Sequence, residues 1–191
     1  MACQIAPECA GGSVQLIRSY YAYLAIAGGL LLRLALQDNW MLQIVGYALI
    51  SAGALSLQQV SRWFLRASIA ADVCIGFEVV CGPAVLPPGL IRMVLEYASL
   101  VPLLLTGCML LMAYQAQMRE AERSIIIEWV IFAVWSAGFI LTLLMAPGWL
   151  NDMALSLTVT AVNTLTVIGY IALLVDTFRA QKEYIRTEGE K

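Results

Sequence analysis

The chain contains no histidine in 191 residues. That excludes bis-histidine haem ligation, histidine metal sites and histidine as a general base. Charge is scarce as well: Asp, Glu, Lys and Arg together make up 13% of the sequence, against roughly 25% in soluble domains. A net charge of −2 gives no basis for nucleic-acid binding. The five cysteines, Cys3, Cys9, Cys74, Cys81 and Cys108, do not form the framework of a secreted disulfide domain. Cys74 and Cys81 share a helix face but lie roughly 10 Å apart along the axis, too far for both to ligate one zinc ion. HExxH, GxSxG, CxxC and glycine-rich phosphate loops are all missing. No catalytic group, metal site or cofactor is expected.

What the chain has is apolar sequence, at 61%. It falls into six blocks, at 19–37, 40–60, 66–86, 92–115, 125–147 and 152–175. Each has about the 20 residues that a helix needs to cross 30 Å of hydrocarbon. Gln37-Asp38-Asn39-Trp40, Leu86-Pro87-Pro88-Gly89 and Pro147-Gly148-Trp149 punctuate them. Trp40, Trp63, Trp129 and Trp149 stand at block ends, where amphipathic rings favour a membrane interface. The expectation is an all-α polytopic integral membrane protein, a bundle of six transmembrane helices. Residues 1–18 form an N-terminal segment, 19–176 the transmembrane domain and 177–191 a charged tail. The N-terminus lacks the basic n-region of a cleaved signal peptide, so the first block is read as a retained helix. The third block carries Asp72 and Glu78, which leaves a re-entrant segment as its alternative.

Orientation follows from the basic residues. Arg18, Arg62, Arg66, Arg119, Arg123, Arg179, Lys182, Arg186 and Lys191 fall on one side after six crossings, and only Arg33 and Arg92 fall toward the other. The positive-inside rule places the chain in the cell membrane with both termini cytoplasmic.

Glu78 is the most informative residue. With Ala67, Ala71, Cys74 and Cys81 it makes a stripe of small side chains on one face of the third helix. A carboxylate at mid-bilayer costs roughly 2.5–3.5 kcal/mol, so it is expected to face protein or water. Arg33, Arg92 and Glu96 are the charged residues expected near it in the outer half: Arg33 and Arg92 are its candidate partners, and the alternative is that both reach to the interface while Glu96 pairs with Arg92 at i, i+4. Asp72, six residues from Glu78, is about 240° away around the helix and is read as hydrated from the inner mouth. Asn163 leads a polar stripe with Ser156, Thr160 and Tyr170 on the sixth helix, facing the bundle. Asp176 is read as interfacial, paired with Arg179. Small-residue faces at Ala48, Ala52 and Ser56, and at Ala25 and Gly29, are read as helix-packing surfaces. The tail is read as a solvated helix end.

These features suit a small-solute transporter or the membrane subunit of one. The alternative is a non-catalytic scaffold or sensor subunit of a larger complex. Expected partners are the lipid bilayer and other membrane subunits or further copies of the chain, and not nucleic acid.

Overall fold

The computed structural model describes residues 8–36, 39–82, 85, 89–120, 129–130, 133–134, 136–138, 140 and 152–189. Five continuous helices run through them: α1 (Glu8–Ala35), α2 (Trp40–Ser56), α3 (Arg62–Cys81), α4 (Leu90–Glu120) and α5 (Asp152–Gly189). The described residues between 129 and 140 are helical as well, and no strand occurs among the described residues. The protein is all-α. Most of the expected fifth span, with Arg123 and Trp149, lies outside the described residues.

Local chemistry sets the boundaries. The side-chain oxygen of Asn39 accepts from the Leu42 amide at 3.3 Å and caps the start of α2, and the Ser61 hydroxyl accepts from the Trp63 amide at 3.3 Å at the start of α3. At the end of α1, the Gln43 amide nitrogen donates to the carbonyls of Arg33 (3.3 Å) and Leu36 (2.8 Å), which lack intrahelical donors. Pro102 sits inside α4 and has no N–H to give the ladder. The Thr106 hydroxyl donates to the Pro102 carbonyl at 2.8 Å, and the Cys74 thiol lies 3.7 Å from that hydroxyl.

The helices pack in chain order, and α5 returns to both α1 and α4, which closes a ring. α1 and α2 run antiparallel in near-contact. A Cβ built on Gly29 would strike the Gly46 carbonyl, and one on Gly53 would lie 2.5 Å from the Ala22 carbonyl. The packing face of α2 is therefore Gly46, Ile50 and Gly53, all buried. The expected face is wrong by about a third of a turn: Ala48 and Ala52 are exposed. Glycine, not small size in general, decides this face, because only a missing Cβ allows two backbones to touch.

The α3 stripe behaves as expected. Ala67, Ala71, Cys74 and Cys81 are buried, together with Phe64 and Ser68. Ser68 hydrogen-bonds Ser51 of α2 at 2.9 Å. α3 is one unbroken helix and not the hairpin of a re-entrant segment.

One helix among the described residues is long and apolar enough by itself to cross a membrane: Val94–Met118 within α4, 25 residues or about 38 Å. α2 is equally apolar, but its 17 residues rise only about 26 Å, short of a 30 Å core. The helices alone thus do not establish six spans.

α5 departs most from expectation. It runs for 38 residues, and buried side chains continue past the end of the expected sixth block. Tyr170, Leu173, Asp176, Thr177, Ala180, Gln181 and Glu183 are all buried. Spacings of three and four residues make this one helix face. Hydropathy misses it because half of its members are polar. Asp176, read as interfacial, is fully buried, with Arg179 at 3.5 Å. The supposed solvated end is docked: Ser19 of α1 donates to the Tyr184 hydroxyl at 3.3 Å, and Tyr184 lies 6.2 Å, ring to ring, from Tyr23. A chain ended after Lys182 should therefore melt at least about 5 °C below the full chain in detergent. Equal melting points would show that this contact contributes nothing.

A polar and aromatic layer ties α1, α3, α4 and α5 together. Tyr23, Phe64 and Tyr114 stack edge to face, at 6.3 and 5.8 Å between centroids. The Tyr23 hydroxyl donates to Gln117 Oε1 at 2.7 Å, and Gln117 Nε2 donates to the Ala180 carbonyl at 2.9 Å. Thr177 gives its proton to the Leu173 carbonyl, so Tyr114 is the donor in its 2.8 Å bond to Thr177. The hydroxyl protons of Tyr23, Tyr114 and Thr177 and one amide proton of Gln117 each have an acceptor, as buried polar groups require.

Candidate functional site

Arg33 is the centre of the site. It lies in the last turn of α1, where the helix dipole favours a cation. Its stem passes over Gly46, where a Cβ would lie 2.8 Å from Arg33 Cγ. The guanidinium then enters the bundle: Nε donates to the Tyr170 hydroxyl of α5 at 2.9 Å, and the guanidinium carbon lies 3.6 Å above the centre of the Tyr47 ring of α2. Only 9% of the residue is exposed. That is the position expected of a partner for Glu78 and not of a side chain that reaches to the interface. The side chain turns inward because a glycine leaves room for its stem and two tyrosines receive its head.

Glu78 faces it from α3. Arg33 Nη1 and Glu78 Oε1 are 4.0 Å apart, and the carboxylate side chain is 26% exposed. That separation is beyond a hydrogen bond. Nη1 is shielded from solvent and has no hydrogen-bond partner among the described residues. The pair opens on a cavity of about 310 Å³ lined by Arg33, Trp40, Gln43, Glu78, Leu103, Thr166 and Tyr170. One fixed cation, one half-exposed carboxylate, an amide, a hydroxyl and an aromatic ring meet there. This is the lower end of the size range of small-molecule sites, and a few convergent polar groups on an apolar wall are what such sites use.

The remaining expected residues lie elsewhere. Arg92 and Glu96 form their own pair at 2.7 Å on the exposed start of α4, so Arg92 is not the partner of Glu78. Asp72 is exposed on another face of α3. Asn163 is in α5, but its side chain lies outside the described residues. No three Cys, Asp or Glu side chains converge to hold a metal ion among the described residues, and Cys74, Cys81 and Cys108 are free thiols.

Sequence reasoning missed Trp40, Gln43, Tyr47 and Thr166 as site residues. Gln43 carried a usable signal: an amide one turn into an apolar helix, just past a tight connection, is placed to cap the preceding helix. Tyr47 lies four residues on and shares that face.

No family model, curated protein or solved structure matches this chain.

Proposed function

We propose that the chain is a polytopic membrane protein of six spans, with both termini cytoplasmic, that handles a small polar solute in the Arg33–Glu78 cavity as a transporter or the membrane subunit of one. The observation that carries the reading is the cavity itself, where a fixed cation and a partly exposed carboxylate face each other inside the bundle. The outer surface supports it. Ile69 and Val73 on α3, and Val94, Val101 and Leu105 on α4, are exposed along continuous helix faces, and lipid would cover such faces without cost. Depth agrees as well. Thr106 is the midpoint of Val94–Met118 and touches Cys74, one turn before Glu78. With α4 spanning the bilayer, the charged pair sits about one helical turn outward of mid-depth and still within the hydrocarbon, where ionisable groups mark solute and ion paths.

Reporter fusions and native mass spectrometry test this. Fusions at Gly89 should read external and those at Arg66 cytoplasmic, and the gently solubilised chain should carry a bound small molecule that Arg33→Met releases. A cytoplasmic reading at Gly89 rejects the topology.

One observation favours the scaffold or sensor reading: Asp72 stands exposed between Ile69 and Val73 on an apolar outer face. Another subunit would relieve that exposure. Mass spectra showing partner chains and no solute would decide for it.

A further inference from the structure

We propose that the cavity between α1, α3 and α5 binds a small zwitterion, an amino acid or a close analogue, with its carboxylate on Arg33 and its ammonium on Glu78. This rests on reading the cavity as a solute site and specifies the class of solute.

Charge balance decides the class. Arg33 and Glu78 neutralise each other across 4.0 Å. A lone anion or a lone cation entering between them satisfies one and strands the other, and an uncompensated charge in a bundle interior is costly. A solute with both charges replaces one loose pair by two closer ones and leaves the net charge at zero.

Geometry supports the same class. The Arg33 head is already fixed by Tyr170 and Tyr47, so a planar fork is held ready for a carboxylate. Its Nη1 is the donor still without a hydrogen-bond partner, on a side chain nine-tenths buried. Glu78 comes from a different helix and is the freer partner, so the gap can widen without disturbing Arg33. Amino acids hold their ammonium and carboxylate one to three carbons apart, so seating one end on each partner requires Glu78 to swing away from Arg33. Trp40 and Leu103 supply an aromatic and an aliphatic wall for the remaining carbons. About 310 Å³ accommodates such a solute and excludes peptides and lipid tails.

The test is calorimetric titration of the full chain in detergent with α-amino acids, β-alanine and γ-aminobutyrate, against sodium acetate and methylammonium chloride. At least one zwitterion should bind tenfold or more tightly than either singly charged probe. Glu78→Gln, at a half-exposed position, should fold. It should weaken that zwitterion at least tenfold while leaving acetate bound as well as before or better, because the opposing carboxylate is gone. Trp40→Phe should weaken the zwitterion and leave the preference over acetate unchanged.

Absence of binding by every zwitterion overturns the proposal, as does acetate or methylammonium alone matching the best of them. A Glu78→Gln protein that binds the zwitterion unchanged also overturns it, and makes the pair structural only. The fusion experiment reads membrane topology independently. An unexpected topology with zwitterion binding intact would remove the transport reading and leave this site standing.

Discussion

Gly29→Leu should lower the melting point of the solubilised protein by at least about 5 °C, while Gly28→Leu, one residue away, should leave it unchanged or raise it. The two substitutions give the helix the same gain in intrinsic propensity, roughly 0.8–1 kcal/mol over glycine. They differ in what the new side chain meets. At Gly29 it meets the Gly46 carbonyl and Ile50, whereas at Gly28 nothing lies within 4 Å. Overpacking costs about 1–3 kcal/mol where side chains can shift. The obstacle at Gly29 is backbone, so the upper end applies and outweighs the propensity gain. Gly53→Leu should behave like Gly29→Leu, because it meets the Ala22 carbonyl and Ile26. If all three variants melt alike, α1 and α2 do not touch as described.

Arg33→Met should cost about 3 kcal/mol of stability, and Glu78→Gln less than about 1. Methionine keeps most of the apolar stem, so the loss isolates the guanidinium. That head makes a charged hydrogen bond to Tyr170, a type contributing roughly 1.5–3 kcal/mol. It also rests on the Tyr47 ring, a contact that contributes up to about 2 kcal/mol when desolvated. Glu78 contributes little because the pair is open at 4.0 Å and its carboxylate is partly exposed. The double variant should be close to additive, with a coupling below about 1 kcal/mol. A coupling of several kcal/mol would mean that the pair closes into direct contact, leaving no gap for a solute.

The sequence carried the all-helical class and the buried stripe of α3, because both rest on periodicity that a single chain displays. It carried less of the site. Arg33 and Arg92 are equal candidates as partners of Glu78 in the sequence, and charge near a helix end can instead snorkel. What draws Arg33 inward is Gly46 and Tyr47 on one helix and Tyr170 on another, and no sequence spacing joins these positions to it. α5 failed for a related reason. A hydropathy window ends the helix's buried part where polar residues begin, yet Thr177, Gln181 and Glu183 lie on the buried face, where Tyr114 and Gln117 of α4 hydrogen-bond Thr177 and the Ala180 carbonyl. The face of α2 turns on the difference between alanine and glycine, which small size alone does not register. The Asn163 side chain lies outside the described residues, so that expectation stands where it began.

The closed ring also orders events in time. Gly29 and Gly46 are near in sequence, so the first helical hairpin can zip soon after both halves are made. The seam between α1 and α5 joins Ser19 to Tyr184, 165 residues apart. At 5–20 residues per second, synthesis of the intervening chain takes on the order of ten seconds. Within it, Tyr23 waits 94 residues for Gln117 and Arg33 waits 137 for Tyr170, so the emerging hairpin presents a phenol without its acceptor and a guanidinium held only by the Tyr47 ring. The chain is therefore most exposed to capture or degradation before its last helix arrives, and variants that slow elongation ahead of α5 would lengthen that window without altering the finished protein.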